Sequence, residues 1–277
     1  MKKILFLIAF AASNLTFAQT LTTPQPSTTQ NIKQNFGLSS IELSYSRPNA
    51  KGRTVIGDLV PFGKVWRTGA NQATTLNFGD DVTIGGKKIA AGKYGLLSIP
   101  DKENWVLIIT KQLDVTSAAA YKEESDVVRV NVKPVILKDK IETFTIQFAN
   151  VKANSCDVNL QWENTSITLP VSTEVDSKVM SQINGIMTKD NLPYFSAAMY
   201  YMDNGKDLNQ ALSWFNKAVE AQPNAFWIQH QWANCLAKLG QKNEARTAAL
   251  KSKELALAAK NDDYVKMNDK LLKDLAK

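Results

Sequence analysis

Along the first two thirds of the chain apolar and polar residues alternate in short runs, and in the last third the apolar spacing lengthens to a helical period. In IELSYS, Ile41, Leu43 and Tyr45 alternate with Glu42, Ser44 and Ser46, the pattern of a strand with one face buried. ATTLNF and DVTIGGKKIAAGKYGLLSIP supply further strands, and Gly85-Gly86 marks a tight hairpin because both turn positions accept positive φ. NWVLIIT is continuously apolar, as a strand covered on both faces would be. DVVRVNVKPV, IETFTIQFANV, CDVNLQWEN and SITLPV complete the set, with Phe144, Ile146 and Phe148 pointing to one face. About nine strands follow a Thr/Pro-rich lead-in, TTPQPSTTQ, with SAAAYKEES the one short helical candidate among them; this predicts an antiparallel, all-β, jelly-roll-like sandwich.

From Thr173 the period is helical. Val175, Val179, Ile183 and Ile186 share a face, with Ser172 or Thr173 available as N-cap. Ala211, Phe215, Ala218 and Pro223 then occupy the A, F, A, P positions of the tetratricopeptide pattern, and Ala245 follows Ala211 by 34 residues, the period of that repeat. Small residues let paired helices approach, large ones fill the groove, and proline stops one pair before the next. NLPYFSAAMYYMDNGKDLNQALSWFNKAVEAQP forms the first pair. The second, NAFWIQHQWANCLAKLGQKNEARTAALKSKELA, has Ala249 where the large residue would stand, and DDYVKMNDKLLKDLA is a closing helix. The expected organisation is a β domain over 19–170 and an all-α, tetratricopeptide-like domain over 171–277. Such repeats present a concave surface to a protein partner. Tyr194, Tyr201, Trp214, Trp227 and Trp232 are the candidates to line it, with core packing as their alternative role.

The N-terminus changes the compartment. MKKILFLIAFAASNLTFAQT has two lysines, an apolar run and small residues ending at Ala18, the layout of a cleavable secretory signal over 1–18. A periplasmic or secreted protein is expected, with no transmembrane segment in the mature chain, since no later apolar run approaches the roughly 20 residues a spanning helix needs. The formal charge of +7 falls to +5 once Lys2 and Lys3 leave with the signal. One local bias stands out: Lys33, Arg47, Lys51, Arg53, Lys64 and Arg67 face only Glu42 and Asp58 between Lys33 and Arg67. In an exported protein such a patch suits an anionic or glycan-like ligand better than nucleic acid. Cys156 and Cys235 fall in different predicted domains, and unpaired thiols pack as small hydrophobes.

Composition removes several chemistries. The single histidine, His230, lies in the helical region, so a Ser-His-Asp or Cys-His arrangement or a His-built metal site in the β domain is unavailable. There is no C-x-x-C motif and no phosphate-cradling glycine loop, and neither a metal nor a cofactor is expected. Carboxylates remain: Glu42, Asp58, Asp101, Glu103, Asp126 and Glu163 permit a hydrolase acting on glycan as the alternative function, although nothing in their spacing pairs two of them. The leading candidate site is SRPNAKGRTVIGDLVPFGKVWRTGAN, where Arg47, Lys51, Arg53, Trp66, Arg67 and Asn71 place cationic forks beside an indole. The same residues have a structural alternative: Arg67 holding Asp58 or strand carbonyls, Gly69 and Asn71 turning with positive φ, and Trp66 plugging one end of the sandwich. The expected protein is a non-enzymatic binding or scaffold protein, with this rim for a ligand and the helices for a protein partner.

YSRPNAKGRTVIGDLVPFGKVWRTGANQATTLNF, followed by VTIGGKKIAAGKYGLLSIP, NWVLIIT and AYKEESDVVRVNV, resembles the exported bacterial family catalogued as domain of unknown function 2911. The resemblance runs from about Pro24 to Pro170 and implies an exported β domain with no assigned activity. It also implies a Trp-Gly before the tyrosine of AYKEESD, where this chain has Ser117-Ala118-Ala119.

Overall fold

A computed structural model describes residues 23–186 and 193–277. The secretory signal read over 1–18 lies outside the described residues, as do Asn191 and Leu192 at the start of the first expected helix pair. The chain divides between Val175 and Asp176 into a β unit and a helical unit.

The β unit holds two antiparallel sheets. The six-stranded sheet runs β1 (Thr28–Phe36), β2 (Ser39–Arg47), β3 (Thr74–Phe78), β6 (Gly92–Ile99), β7 (Trp105–Thr110) and β8 (Asp126–Val132). The four-stranded sheet runs β5 (Lys87–Ile89), β4 (Val82–Ile84), β10 (Ser155–Ser172) and β9 (Val135–Ala149). Ile41, Leu43, Tyr45, Leu76 and Phe78 of the first sheet share one buried cluster with Phe144, Ile146, Val158, Leu160 and Leu169 of the second. The alternation read from IELSYS and IETFTIQF therefore sets which face of each strand is apolar.

Three differences from the sequence reading have local causes. Thr28–Phe36 is a nine-residue strand, although only Ile32 and Phe36 in it are apolar; at a sheet edge it pairs on one side only, so polar side chains can populate both of its faces. CDVNLQWEN and SITLPV are one strand, β10, because Glu163 takes a left-handed conformation (φ 49°) and absorbs a bulge between two register shifts. SAAAYKEES forms two short 3₁₀ turns, Ala118–Ala120 and Glu123–Ser125, inside the loop joining β7 to β8.

Helices α1 (Asp176–Ile186), α2 (Tyr194–Asp203), α3 (Leu208–Ala221), α4 (Phe226–Lys238), α5 (Lys242–Ala258) and α6 (Asp262–Leu275) make up the second unit. Thr173 does not cap α1; its hydroxyl donates to the Asp81 carbonyl at 2.7 Å. Asp207 caps α3 through the N–H groups of Asn209 and Gln210. Ala211, Phe215, Ala218, Ala245 and Ala249 are all buried between helices. His230 is buried in a polar relay. Its Nδ1 lies 2.8 Å from Asn268 Oδ1, an acceptor, so Nδ1 carries the proton. The Asn268 amide donates to Ser252 Oγ and to the Tyr264 carbonyl, and Ser252 donates to the Phe226 carbonyl. The lone histidine thus ties α4, α5 and α6 together. Among the described residues no helix is long and apolar enough to cross a membrane. Cys156 and Cys235 are free and buried, and burial pushes each thiol up to about 11.

Candidate functional site

The cationic residues singled out by sequence are spread along a seam. Arg47 closes the outer edge of β9: its Nε donates to the Phe144 carbonyl and its second nitrogen to Thr145 Oγ1. Tyr45 does the same two residues earlier, its hydroxyl donating to the Ile146 carbonyl and accepting from the Ile146 N–H. Burial raises the Tyr45 phenol pKa, so it remains a donor. Beyond them Phe144 N–H bonds the Pro48 carbonyl and Ala50 N–H bonds the Glu142 carbonyl. Side chains and a loop thereby take the place of a neighbouring strand and satisfy an edge otherwise open to pairing. Arg53 holds that loop through the Ala50 and Asn49 carbonyls. Lys51 is exposed at the turn (φ 51°), with its N–H donated to Glu142.

Trp66 and Arg67 leave this seam for another. Trp66 bridges Ser98 through both backbone groups, donates its indole N–H to the Gly69 carbonyl at 3.0 Å and stacks on Trp162 with ring centres 5.8 Å apart. The cavity it shares with Trp105, Phe144 and Trp162 measures about 10 Å³, at most the room for one water. Arg67 donates to the Thr116 carbonyl at 2.7 Å. Asn71, with φ 57°, donates to Ser46 Oγ and the Ser27 carbonyl. The six residues therefore do not converge on one pocket, and the forks of Arg47, Arg53 and Arg67 are turned toward protein acceptors.

Gly69 is the tightest point of the WRTGAN turn. Its φ is +151°, and a Cβ there would stand 2.9 Å from the Ser46 carbonyl oxygen. Gly69→Ala is expected to destabilise the β unit by about 1–3 kcal/mol, read as a lower thermal midpoint. An unchanged midpoint would mean that the turn can relax away from Ser46.

The open site lies on the outer face of the six-stranded sheet. Pairing places Lys33 opposite Glu42, Glu42 opposite Asn77 and Asn77 opposite Lys93. The next row is Asn31, Ser44, Thr75 and Gly95. The alternate residues Leu43, Leu76, Tyr94 and Leu96 point into the core, so these two rows face outward. All of them but Gly95 line a depression of about 380 Å³. A second depression of about 320 Å³ shares Ser44 and runs on past Ser46 to Asn71. Beside this face the loop after β7 passes close over β6: a Cβ on Gly95 would sit 2.7 Å from the Gln112 carbonyl, so only glycine lets the loop pass. Val115 and Tyr121 seat that loop on Leu97 and Ile108. Its far end is pinned where Tyr121 donates to Asp126 and Arg129 bonds both, with Arg129 also 3.1 Å from Glu123. Burial and the Asp126 carboxylate push the Tyr121 phenol up to about 12.

Within this trough Lys33 Nζ is 2.9 Å from Glu42 Oε1, and Asn77 donates to Glu42 Oε2 at 3.3 Å. The hydrogen bond from Lys33, with that from Asn77, lowers the Glu42 pKa below the usual carboxylate range. Glu42 is the one carboxylate among the described residues lining the trough. Elsewhere Asp101 caps the Glu103 N–H, and Glu163 accepts from Val55 and Ile56 N–H at 2.7 and 3.0 Å. No group of three or more His, Cys, Asp or Glu could hold a metal ion among the described residues.

In the helical unit the five aromatics are divided. Tyr201 packs edge-on against Trp214 at 4.7 Å, Lys217 lies over Tyr194 at 5.0 Å, and Trp227 is exposed. Trp232 lines a groove of about 340 Å³ with Leu212, Asn216, Leu236 and Glu244. Only Trp232 of the five borders it.

Asn31, Ser44, Thr75, Asn77 and Lys93 escaped the sequence reading. The signal that could have found them is the polar half of each alternating strand, but it becomes a site only once the lateral register of four strands is known. Fold and site together define an antiparallel two-sheet unit with an open polar face, followed by a helical unit. Residues 27–171, more than half of the chain, match the family described as Protein of unknown function (DUF2911), and the chain belongs to that family. No curated protein and no solved structure matches it.

Proposed function

We propose that this is an exported, non-enzymatic binding protein whose β unit, a sandwich in architecture, holds a glycan-like polar ligand in the trough across β1, β2, β3 and β6. The observation that carries this reading is two outward rows of amide, hydroxyl and charged side chains set on four paired strands. Groups on strands keep their spacing better than groups on loops, as recognition of a polyhydroxylated ligand requires. The ion pairing of Glu42 with Lys33, and the lack of a second carboxylate lining the trough among the described residues, weigh against two-carboxylate hydrolysis at this face. The helical unit, tetratricopeptide-like in its spacing, is assigned to protein contact, with the Trp232 groove as its surface.

The test is a screen of the full chain against an oligosaccharide array, with Ser44→Trp alongside. Ser44 sits at the junction of both depressions, so an indole there should fill the trough and lower binding at least about tenfold while the thermal midpoint stays within a few degrees. Binding unaffected by Ser44→Trp, or binding to no oligosaccharide at all, would remove the trough from the proposal.

A further inference from the structure

The trough has a polarity of charge along its length, and this deepens the reading just given, on which it rests. Two cations and one anion line the larger depression. Lys33 and Glu42 neutralise each other at 2.9 Å, and Asn77 takes the other Glu42 oxygen. The Lys93 side chain, on the far side of Asn77, has no ion pair or hydrogen bond among the described residues. An ammonium that is exposed yet lines a concave wall still has three donors to offer. From Lys93 the lining continues through Thr75 and Ser44 to Asn31, all neutral groups that donate and accept.

We infer that the trough takes an acidic saccharide, one sugar carboxylate meeting Lys93 and the hydroxyls of that and the adjoining unit meeting Thr75, Ser44, Asn31 and Asn77. Charge complementarity selects this occupant over a neutral sugar: with the Lys33 and Glu42 pair internally balanced, the net positive charge of the depression resides at Lys93. Glu42 sets the opposite limit. It stands between the two lysines in the row, so a ligand with closely spaced negative charges would be repelled at the second position. The preferred ligand therefore carries one carboxylate at the Lys93 end and neutral hydroxyls over Glu42, as in a uronate joined to neutral sugar.

The experiment is isothermal titration of the full chain with short oligosaccharides carrying one terminal galacturonate, glucuronate or mannuronate, and with the same compounds after reduction of the carboxyl to the alcohol. At least one acidic compound should bind about tenfold more tightly than its reduced form at low salt, with the advantage shrinking as salt rises. Lys93→Gln should bring the acidic compound to the affinity of the reduced one and leave the reduced one unchanged, while Lys93→Arg should restore most of the difference. Equal affinity for acidic and reduced forms, abolished by Ser44→Trp, would overturn the charge assignment and leave the trough as the binding site. An acidic preference that survives Lys93→Gln would overturn the role of Lys93. Binding of neither form would overturn both readings.

Discussion

Phe144→Ala is expected to cost the β unit about 3–5 kcal/mol, the largest loss of any single side chain considered. Phe144 is buried to 2% and touches aromatic rings on three sides. Tyr45 meets it edge-on at 5.9 Å, while Trp66 at 5.0 Å and Trp162 at 5.5 Å lie tilted against it. Truncation removes the transfer free energy of the ring and leaves a cavity beside two indoles that backbone bonds hold in place. Trp66 donates its indole N–H to the Gly69 carbonyl at 3.0 Å, and Trp162 donates its own to the Glu142 carbonyl at 3.1 Å. Neither can swing in to fill the space without giving up a hydrogen bond, so the site collapses poorly. For a unit of this size the midpoint should fall by roughly 6–20 °C. Calorimetry and near-ultraviolet circular dichroism would follow it. A loss under about 1 kcal/mol would show that the cluster repacks freely and does not join the two sheets.

Glu163→Ala is the second, with an expected loss of about 2–3 kcal/mol. Burial raises the Glu163 pKa, but the Ile56 and Val55 N–H groups and Lys140 together outweigh burial and hold it below the usual carboxylate range. Alanine would strand two backbone donors and free the bulge that bends β10. Glu163→Gln separates charge from geometry, since its carbonyl oxygen can still accept from both amides. A carboxyl whose pKa is lower folded than unfolded adds stability that is fully present above the unfolded value and is lost as pH falls through the folded one. The advantage of wild type over Glu163→Gln should therefore be largest near neutral pH and be lost as pH falls through the lowered pKa of the folded carboxyl. Urea unfolding at several pH values measures it; a difference independent of pH would mean that the carboxylate charge plays no part.

These two positions also show what the SRPNAKGRTVI segment does in the fold. SRPNAKGRTVI reads as a cationic surface loop, yet in the fold Arg47, Pro48 and Ala50 complete the edge of β9 and Val55 and Ile56 supply the donors that Glu163 needs. Each of those partners lies about 90 residues or more away along the chain, and no periodicity within either segment encodes the meeting. WRTGAN is similar. Positive φ at Gly69 and Asn71 follows from residue type, but that Arg67 would reach Thr116 in the loop after β7 depends on how that loop crosses the sheet. The polar rows at the trough were visible singly, as Glu42 and Ser44 between Ile41, Leu43 and Tyr45. Their joining into one surface depends on strand order, in which β6 lies beside β3 while β4 and β5 go to the other sheet.

The sequence by itself determined the period of each segment. It separated strands from helices near residue 173, chose the inward faces of β2 and β9, placed the Gly85-Gly86 hairpin, and buried Ala211, Phe215 and Ala245 between helices. Those features are local: side-chain direction follows backbone geometry within a few residues, and burial follows hydrophobicity. Tertiary structure alone decided that the polar stretch Thr28–Phe36 is an edge strand, that the arginines of SRPNAKGR face carbonyls, and that Lys33, Glu42, Asn77 and Lys93 form one row. Hydrogen-bonding groups accept any complementary partner, and which partner arrives is set by chain crossings remote in sequence. A polar residue therefore advertises a capacity, and the fold selects whether protein or ligand uses it.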